Sequence, residues 1–247
     1  MLSSDLVNYV FSINIYGNYF QIPVSNMTFI TEGVKQPSVD IPASKSCKPF
    51  SKINNTKTSS AGLSNRLRPK ILVTYASGYG STAEVAQEIA KCLSETGATA
   101  TIHQLPFVEN LDQFDAVIIG SPIRYDRWMP DARNFVITNQ ELLSNLPIAF
   151  FFNCLTLVRL TDETKRKANQ YADKLFALSP QVKPISVGQF AGVLDYSKMP
   201  FFLSLVFKIF GSIMGLPEGD YRDWSAIHRW TQDVAIKFSE NMESIDR

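Results

Sequence analysis

The chain has 247 residues, 45% of them hydrophobic and 19% charged, enough for one large core or two small ones. Its 24 Lys+Arg against 23 Asp+Glu leave a net charge of +1, which disfavours a nucleic-acid binder, since that class carries a basic excess. Three cysteines far apart in sequence (Cys47, Cys92, Cys154) and two histidines (His103, His228) argue against a disulfide scaffold, a zinc site or multi-histidine metal chemistry, and suit a reducing compartment.

Residues 1–68 differ from the rest. They hold seven Lys/Arg and three Asp/Glu, whereas 69–247 hold 17 and 20. Twenty-two of the 68 are Ser, Thr or Asn, prolines stand at 23, 37, 42 and 49, and 44–68 contain no acid. This composition predicts a largely disordered or irregular N-terminal extension. The apolar text from Leu6 to Val24 suits one or two strands, as in an appended hairpin. The acid-poor, Ser-rich leader leaves organelle targeting open, although its arginines are few. No run of about 18 uncharged apolar residues occurs, so no ordinary membrane span is expected; a cytoplasmic location follows as the expectation.

From Pro69 strands and helices alternate. Lys70–Ala76 (KILVTYA) is a β-branched apolar run, as in a strand buried on both faces. Thr82–Thr96 predicts a helix, with Val85, Ile89 and Leu93 on one stripe. Strands follow at Ala98–Leu105 and Asp115–Gly120, and a helix at Pro130–Leu143. Ile148–Asn153 is a fourth strand, and Thr161–Leu178 a helix with Asp162 and Glu163 in its first turn, where the helix dipole favours anions. Ile185–Val193 is a fifth strand. Residues 199–217 form an apolar helical insert, with Ser204, Lys208, Gly211 and Gly215 on one face. It suits a helix buried on the sheet, a peripheral membrane contact, a substrate dock or a dimer contact. Trp224–Ser239 closes the chain as a helix capped by Asp223. Such alternation predicts a doubly wound parallel sheet in a three-layer sandwich, with ligands at the carboxyl ends of the strands.

The loop after the first strand reads Ser77-Gly78-Tyr79-Gly80-Ser81-Thr82. Its glycines, hydroxyls and direct entry into a helix make an anion site. No Lys or Arg occurs from Ile71 to Ala90, so a phosphate here is expected to be held by neutral donors. A nucleotide-triphosphate loop needs a Lys that is missing. A dinucleotide fingerprint is partly matched by Gly78, Gly80 and Ala83, but its acid is absent at His103-Gln104-Leu105. A ligand-free βα turn uses the same residue types.

This hydroxyl-Gly-x-Gly-Ser-Thr loop resembles the FMN-phosphate loop of the flavodoxin family. Three further segments, Gly120–Tyr125 (GSPIRY), Gly192–Tyr196 (GVLDY) and Gly219–Trp224 (GDYRDW), resemble its long-insert subgroup, which contains the flavodoxin-like, menaquinone-dependent protoporphyrinogen oxidase. The resemblance covers residues ~70–240 and implies a flavodoxin-like domain at 69–247, a five-stranded parallel sheet in the order 2-1-3-4-5, and FMN as cofactor. It implies that Ser77, Gly78, Tyr79, Gly80, Ser81 and Thr82 wrap the phosphate. The flavin ring would be flanked by Ser121, Pro122, Ile123, Arg124 and Tyr125, and by Asn153, Cys154, Leu155 and Thr156. Tyr125 and Trp128 are the stacking candidates. Arg124, Arg127 and Trp128 are the substrate candidates, with the arginines facing anionic groups or standing as solvated rim charges. The second ring loop lacks Tyr and Trp, which favours a flavin face open to substrate.

The implied activity is flavin-dependent oxidation of protoporphyrinogen with a quinone acceptor, so a tetrapyrrole and a quinone are the expected small-molecule partners. A general quinone reductase, an electron carrier without its own substrate, and a flavin-free nicotinamide reductase stand as alternatives. A homo-oligomer and contact with the inner face of a membrane through 199–217 are left open.

Overall fold

The computed structural model describes residues 10–15, 18–23, 68–108, 110–198 and 217–245. The chain divides into two units, Met1–Ser44 and Lys45–Arg247. In the first, β1 (Val10–Ile15) pairs antiparallel with β2 (Asn18–Pro23), as the apolar text there suggested.

The second unit is built on five parallel strands: β3 (Lys70–Tyr75), β4 (Thr99–Gln104), β5 (Ala116–Arg124), β7 (Ile148–Cys154) and β8 (Ser186–Ala191). They lie in the order β4-β3-β5-β7-β8, the expected 2-1-3-4-5. The three inner strands are the most apolar because both their faces are covered. Side-chain alternation sends Leu72, Val117, Ile119, Phe150 and Phe152 to one face, and Ile71, Val73, Ile118 and Phe151 to the other. The first face is covered by α2 (Pro130–Thr138) and α4 (Asp162–Phe176), through Phe135, Ala168, Tyr171 and Leu175. The second face is covered by α1 (Ser81–Glu95) and α5 (Trp224–Ile245), through Val85, Ile89, Leu93, Val234 and Phe238. Truncating a fully buried Phe such as Phe151 to Ala costs about 3–5 kcal/mol in cores of this kind.

Local chemistry sets the helix ends. Thr161 caps α4 in a reciprocal box with Thr164. Asp223 Oδ1 accepts the Ala226 N–H at 2.9 Å, the predicted cap of α5. The helix expected over 130–143 is instead two pieces. Asn139, between α2 and α3 (Gln140–Leu143), has φ −104° and ψ 16°, and its amide donates to the Phe135 carbonyl at 2.8 Å. A side chain that competes for the helical acceptor breaks the helix there. Between α1 and α5, His228 Nε2 lies 2.7 Å from Glu88 Oε1, so this histidine joins the two helices. Cys92, buried on α1, is disulfide-bonded, which the wide sequence spacing of the cysteines did not suggest; spacing along a chain says nothing of separation in space.

The third strand runs four residues past its expected end. β5 continues to Arg124 because β6 (Arg127–Trp128) folds back on it, with Arg124 opposite Arg127 and Ile123 opposite Trp128. The connecting residues Tyr125 and Asp126 both have positive φ, 50° and 58°, as a two-residue hairpin requires.

After β8, Val193–Leu194 (β9) pairs antiparallel with Gly219–Asp220 (β10), and Glu218 Oε1 accepts the Tyr196 N–H at 2.7 Å. The two ends of the apolar insert are thereby joined in a short neck. Its body at 199–216, with the helix expected there, lies outside the described residues. Among the described residues no helix is long and apolar enough to cross a membrane.

Candidate functional site

The loops that follow β3, β5 and β7 meet at the carboxyl end of the sheet, where the strand order reverses around β3. The first of them is the Ser77–Thr82 segment. Gly80 sits at φ 91°, ψ −25°, the left-handed region that favours glycine, and precedes α1 as its cap residue. The Ser77 hydroxyl oxygen accepts the Gly80 N–H at 3.1 Å, which folds the loop. No side chain caps α1, so its N-terminal amides and dipole are available to an anion. The Thr82 hydroxyl is buried, with its residue 1% exposed, and has no hydrogen-bond partner. A buried hydroxyl without a partner is costly unless something meets it.

Two arginines reach this loop from elsewhere in the chain. The Arg124 guanidinium lies 4.1 Å from the centre of the Tyr79 ring and against Gly78, where a Cβ would stand 2.5 Å from its Nη2. Arg222, from the neck, donates to the Ser81 carbonyl at 3.1 Å. It also pairs with Glu84 at 2.7 Å and Asp220 at 2.6 Å and stacks on Trp224. A stretch of sequence without charge does not report which residues fold over it. Burial alone would raise the Asp220 carboxyl, but its hydrogen bonds and charge contact with Arg222 outweigh that and hold it below the usual range.

In the second loop, Pro122, Ile123 and Arg124 are partly buried and Tyr125 is exposed at the hairpin tip. Burial, then the neighbouring Tyr79, raises the Tyr125 phenol against the opposing influence of Arg124. The Ser121 hydroxyl is committed internally: it donates to the Pro122 carbonyl at 2.9 Å and accepts the Met129 N–H at 3.0 Å. Arg127 is exposed on the return strand. Trp128, expected as a stacking or substrate residue, faces the core instead. The antiparallel return turns it into the core, where it is 3% exposed, packs edge-on against Phe150 and Phe152, and donates from Nε1 to the Tyr171 carbonyl at 2.9 Å.

In the third loop Asn153 is 3% exposed; its amide reaches the Ala191 carbonyl at 3.5 Å, and its Oδ1 is without a hydrogen-bond partner. Cys154 is a free, buried thiol that burial pushes up to about 11, so it is protonated near neutrality and unsuited to nucleophilic work. Leu155 and Thr156 begin a short 3-10 turn (Leu155–Val158).

The residue that sequence reasoning missed is Tyr171. Its hydroxyl donates to Asp126 Oδ1 at 2.7 Å and lies 3.1 Å from the Thr156 hydroxyl. Lys167 adds an ion pair to Asp126 at 3.3 Å. One buried side chain on α4 thus ties the hairpin to the third loop. Burial keeps its phenol protonated far above neutrality. Nothing in the local sequence marks it, since a Tyr on the apolar stripe of a helix reads as core. Arg222 stands in the quoted GDYRDW segment, but its reach to Ser81 spans 141 positions.

The model of the flavodoxin domain family matches residues 72–215. Protoporphyrinogen IX dehydrogenase (quinone) of Escherichia coli (strain K12) is 27% identical over 173 residues, which cover 67% of this chain and 94% of that protein. The protein of the same name in Leishmania major is 30% identical over 175 residues, covering 68% of this chain and 75% of its own. Among solved structures, a WrbA-like flavodoxin from Agrobacterium tumefaciens is 19% identical, with a TM-score of 0.42 over 70% of this chain and 98% of that one. The matched segment begins in β3, runs through the cradle and the hairpin, and ends beyond β9: the chain belongs to the flavodoxin family.

Proposed function

We propose that the protein is an FMN-dependent oxidoreductase that dehydrogenates a protoporphyrinogen-type tetrapyrrole and uses a quinone as electron acceptor. The observation that carries the reading is the cradle before α1: a left-handed Gly80, an uncapped helix start, and a buried Thr82 hydroxyl without a partner. These groups fit a phosphate monoester. The names of the relatives from Escherichia coli and Leishmania major support the substrate and acceptor.

When bound, FMN supplies the redox chemistry, and the chain supplies binding, orientation and exclusion of water. Ser77, Ser81 and Thr82, with the backbone amides of Gly78–Thr82, would hold the phosphate. Backbone groups of Ser121–Arg124 and the exposed Tyr125 ring would flank one side of the flavin, and Asn153–Thr156 the pyrimidine edge. The Asn153 Oδ1 is an acceptor there without a partner. The third loop carries no Tyr or Trp, which favours a ring face open to a flat substrate over a doubly stacked carrier site. Arg127, exposed on the return strand of the hairpin, suits the carboxylates of such a substrate. The apolar stretch 199–217 suits contact with a membrane surface, where a lipid-soluble quinone resides.

Purified protein is expected to show a flavin spectrum, or to acquire one on adding FMN, and to lose it in Thr82→Glu, where added negative charge repels the phosphate. Turnover of protoporphyrinogen with a menaquinone analogue then tests the substrate. A colourless chain that refuses FMN sinks the cofactor. A flavoprotein without turnover leaves the carrier reading in its place.

A further inference from the structure

We propose that the Arg124 guanidinium is the charge partner of the cofactor's phosphate and sets a preference for the phosphorylated over the unphosphorylated flavin; this deepens the flavin reading above and rests on it. A phosphate monoester carries close to two negative charges at neutral pH. From Ile71 to Ala90 the sequence has no cation to balance them, and hydroxyls and amides supply hydrogen bonds without net charge. The fold brings the missing charge from β5. Arg124 lies over Tyr79, and a Cβ on Gly78 would stand 2.5, 2.6 and 2.7 Å from its Nη2, Nη1 and Cζ. The loop therefore carries a glycine where the guanidinium sits.

The second arginine of the region is already committed. Arg222 is paired with Glu84 and Asp220 and bonded to the Ser81 carbonyl. Among the described residues no carboxylate forms an ion pair with Arg124; its contact is the Tyr79 ring. An independent sign that the loop takes a ligand is the Thr82 hydroxyl, 1% exposed at the residue level and without a partner, one residue into α1. Arginine matches phosphate oxygens with two parallel N–H bonds, which lysine cannot copy. Arg124 is also pre-positioned. Its backbone ends β5 at a hairpin whose turn has φ values of 50° and 58° and is fastened by Tyr171 through Asp126, and its guanidinium already rests on the Tyr79 ring, so less freedom remains to be lost on binding.

The test uses the full chain, stripped of flavin and titrated with FMN and with riboflavin by fluorescence. Arg124→Gln is expected to weaken FMN about ten- to hundredfold, the range for a charged hydrogen-bonded contact, and to leave riboflavin little changed. Lys183→Gln, on an exposed residue after α4, controls for net charge and should alter neither. A wild-type ratio of FMN to riboflavin affinity in Arg124→Gln overturns the proposal while the flavin reading stands. If that variant does not fold, the wild-type chain still decides. Its preference for FMN must shrink as salt rises and as inorganic phosphate is added, and a preference indifferent to both overturns the proposal. Binding of neither flavin by the wild-type chain overturns the cofactor reading and this inference together.

Discussion

Arg222 and Asp220 form an ion pair whose value depends on pH in a direction that can be worked out. The Asp220 carboxyl is held below its ordinary value of 3.8 in the folded chain. The unfolded chain therefore takes up this proton first as the pH falls. The pair's contribution is complete above 3.8 and is lost as the pH drops through the lowered folded value. Its size is limited, because the Asp220 side chain is 43% exposed and solvent screens the charge. Asp220→Asn should therefore lower the urea midpoint relative to wild type at pH 6, and the two midpoints should converge below pH 3.8. A gap between them that stays constant across the range would show that the contact stabilises by packing, with Arg222 held by Glu84, Trp224 and the Ser81 carbonyl.

At the scale of elements, the inner strands were legible because burial on both faces demands continuous apolar text, and KILVTY and IAFFFNC supply it. The cradle was legible because its chemistry is local: glycines and hydroxyls between a strand and a helix. The hairpin β5–β6 was not. Its turn, Tyr125-Asp126, has neither Gly nor Asn, the usual residues for two positive φ angles. The conformation is fastened from outside by Tyr171, whose hydroxyl holds Asp126 and whose carbonyl holds Trp128. The same misreading turned Trp128 from a core residue into a substrate candidate. Tyr171→Phe keeps the ring among its core neighbours and removes the hydroxyl. It is expected to cost about 1–2 kcal/mol in denaturant unfolding. Amide exchange should quicken at Tyr125–Trp128 and at Thr156, the segments that the hydroxyl fastens. A uniform rise in exchange across the sheet would instead mark Tyr171 as a packing residue only.

At the scale of the whole chain, composition separated a polar, basic leader from an acidic remainder, and the fold divides it again at Ser44 and Lys45. All five parallel strands, both faces of the core and the three ligand-end loops fall between residues 69 and 245. A chain of about 200 residues buries enough surface to fold unaided. Among the described residues the contacts of the cradle lie within 77–224. It follows that the segment Lys45–Arg247, expressed alone, should unfold cooperatively and bind FMN as the full chain does. Circular dichroism on heating and flavin titration of the two forms side by side provide the comparison. A shortened chain that folds but loses FMN would assign part of the cofactor site to residues 1–44. One that fails to fold would make the β1–β2 pair a structural requirement of the parallel sheet.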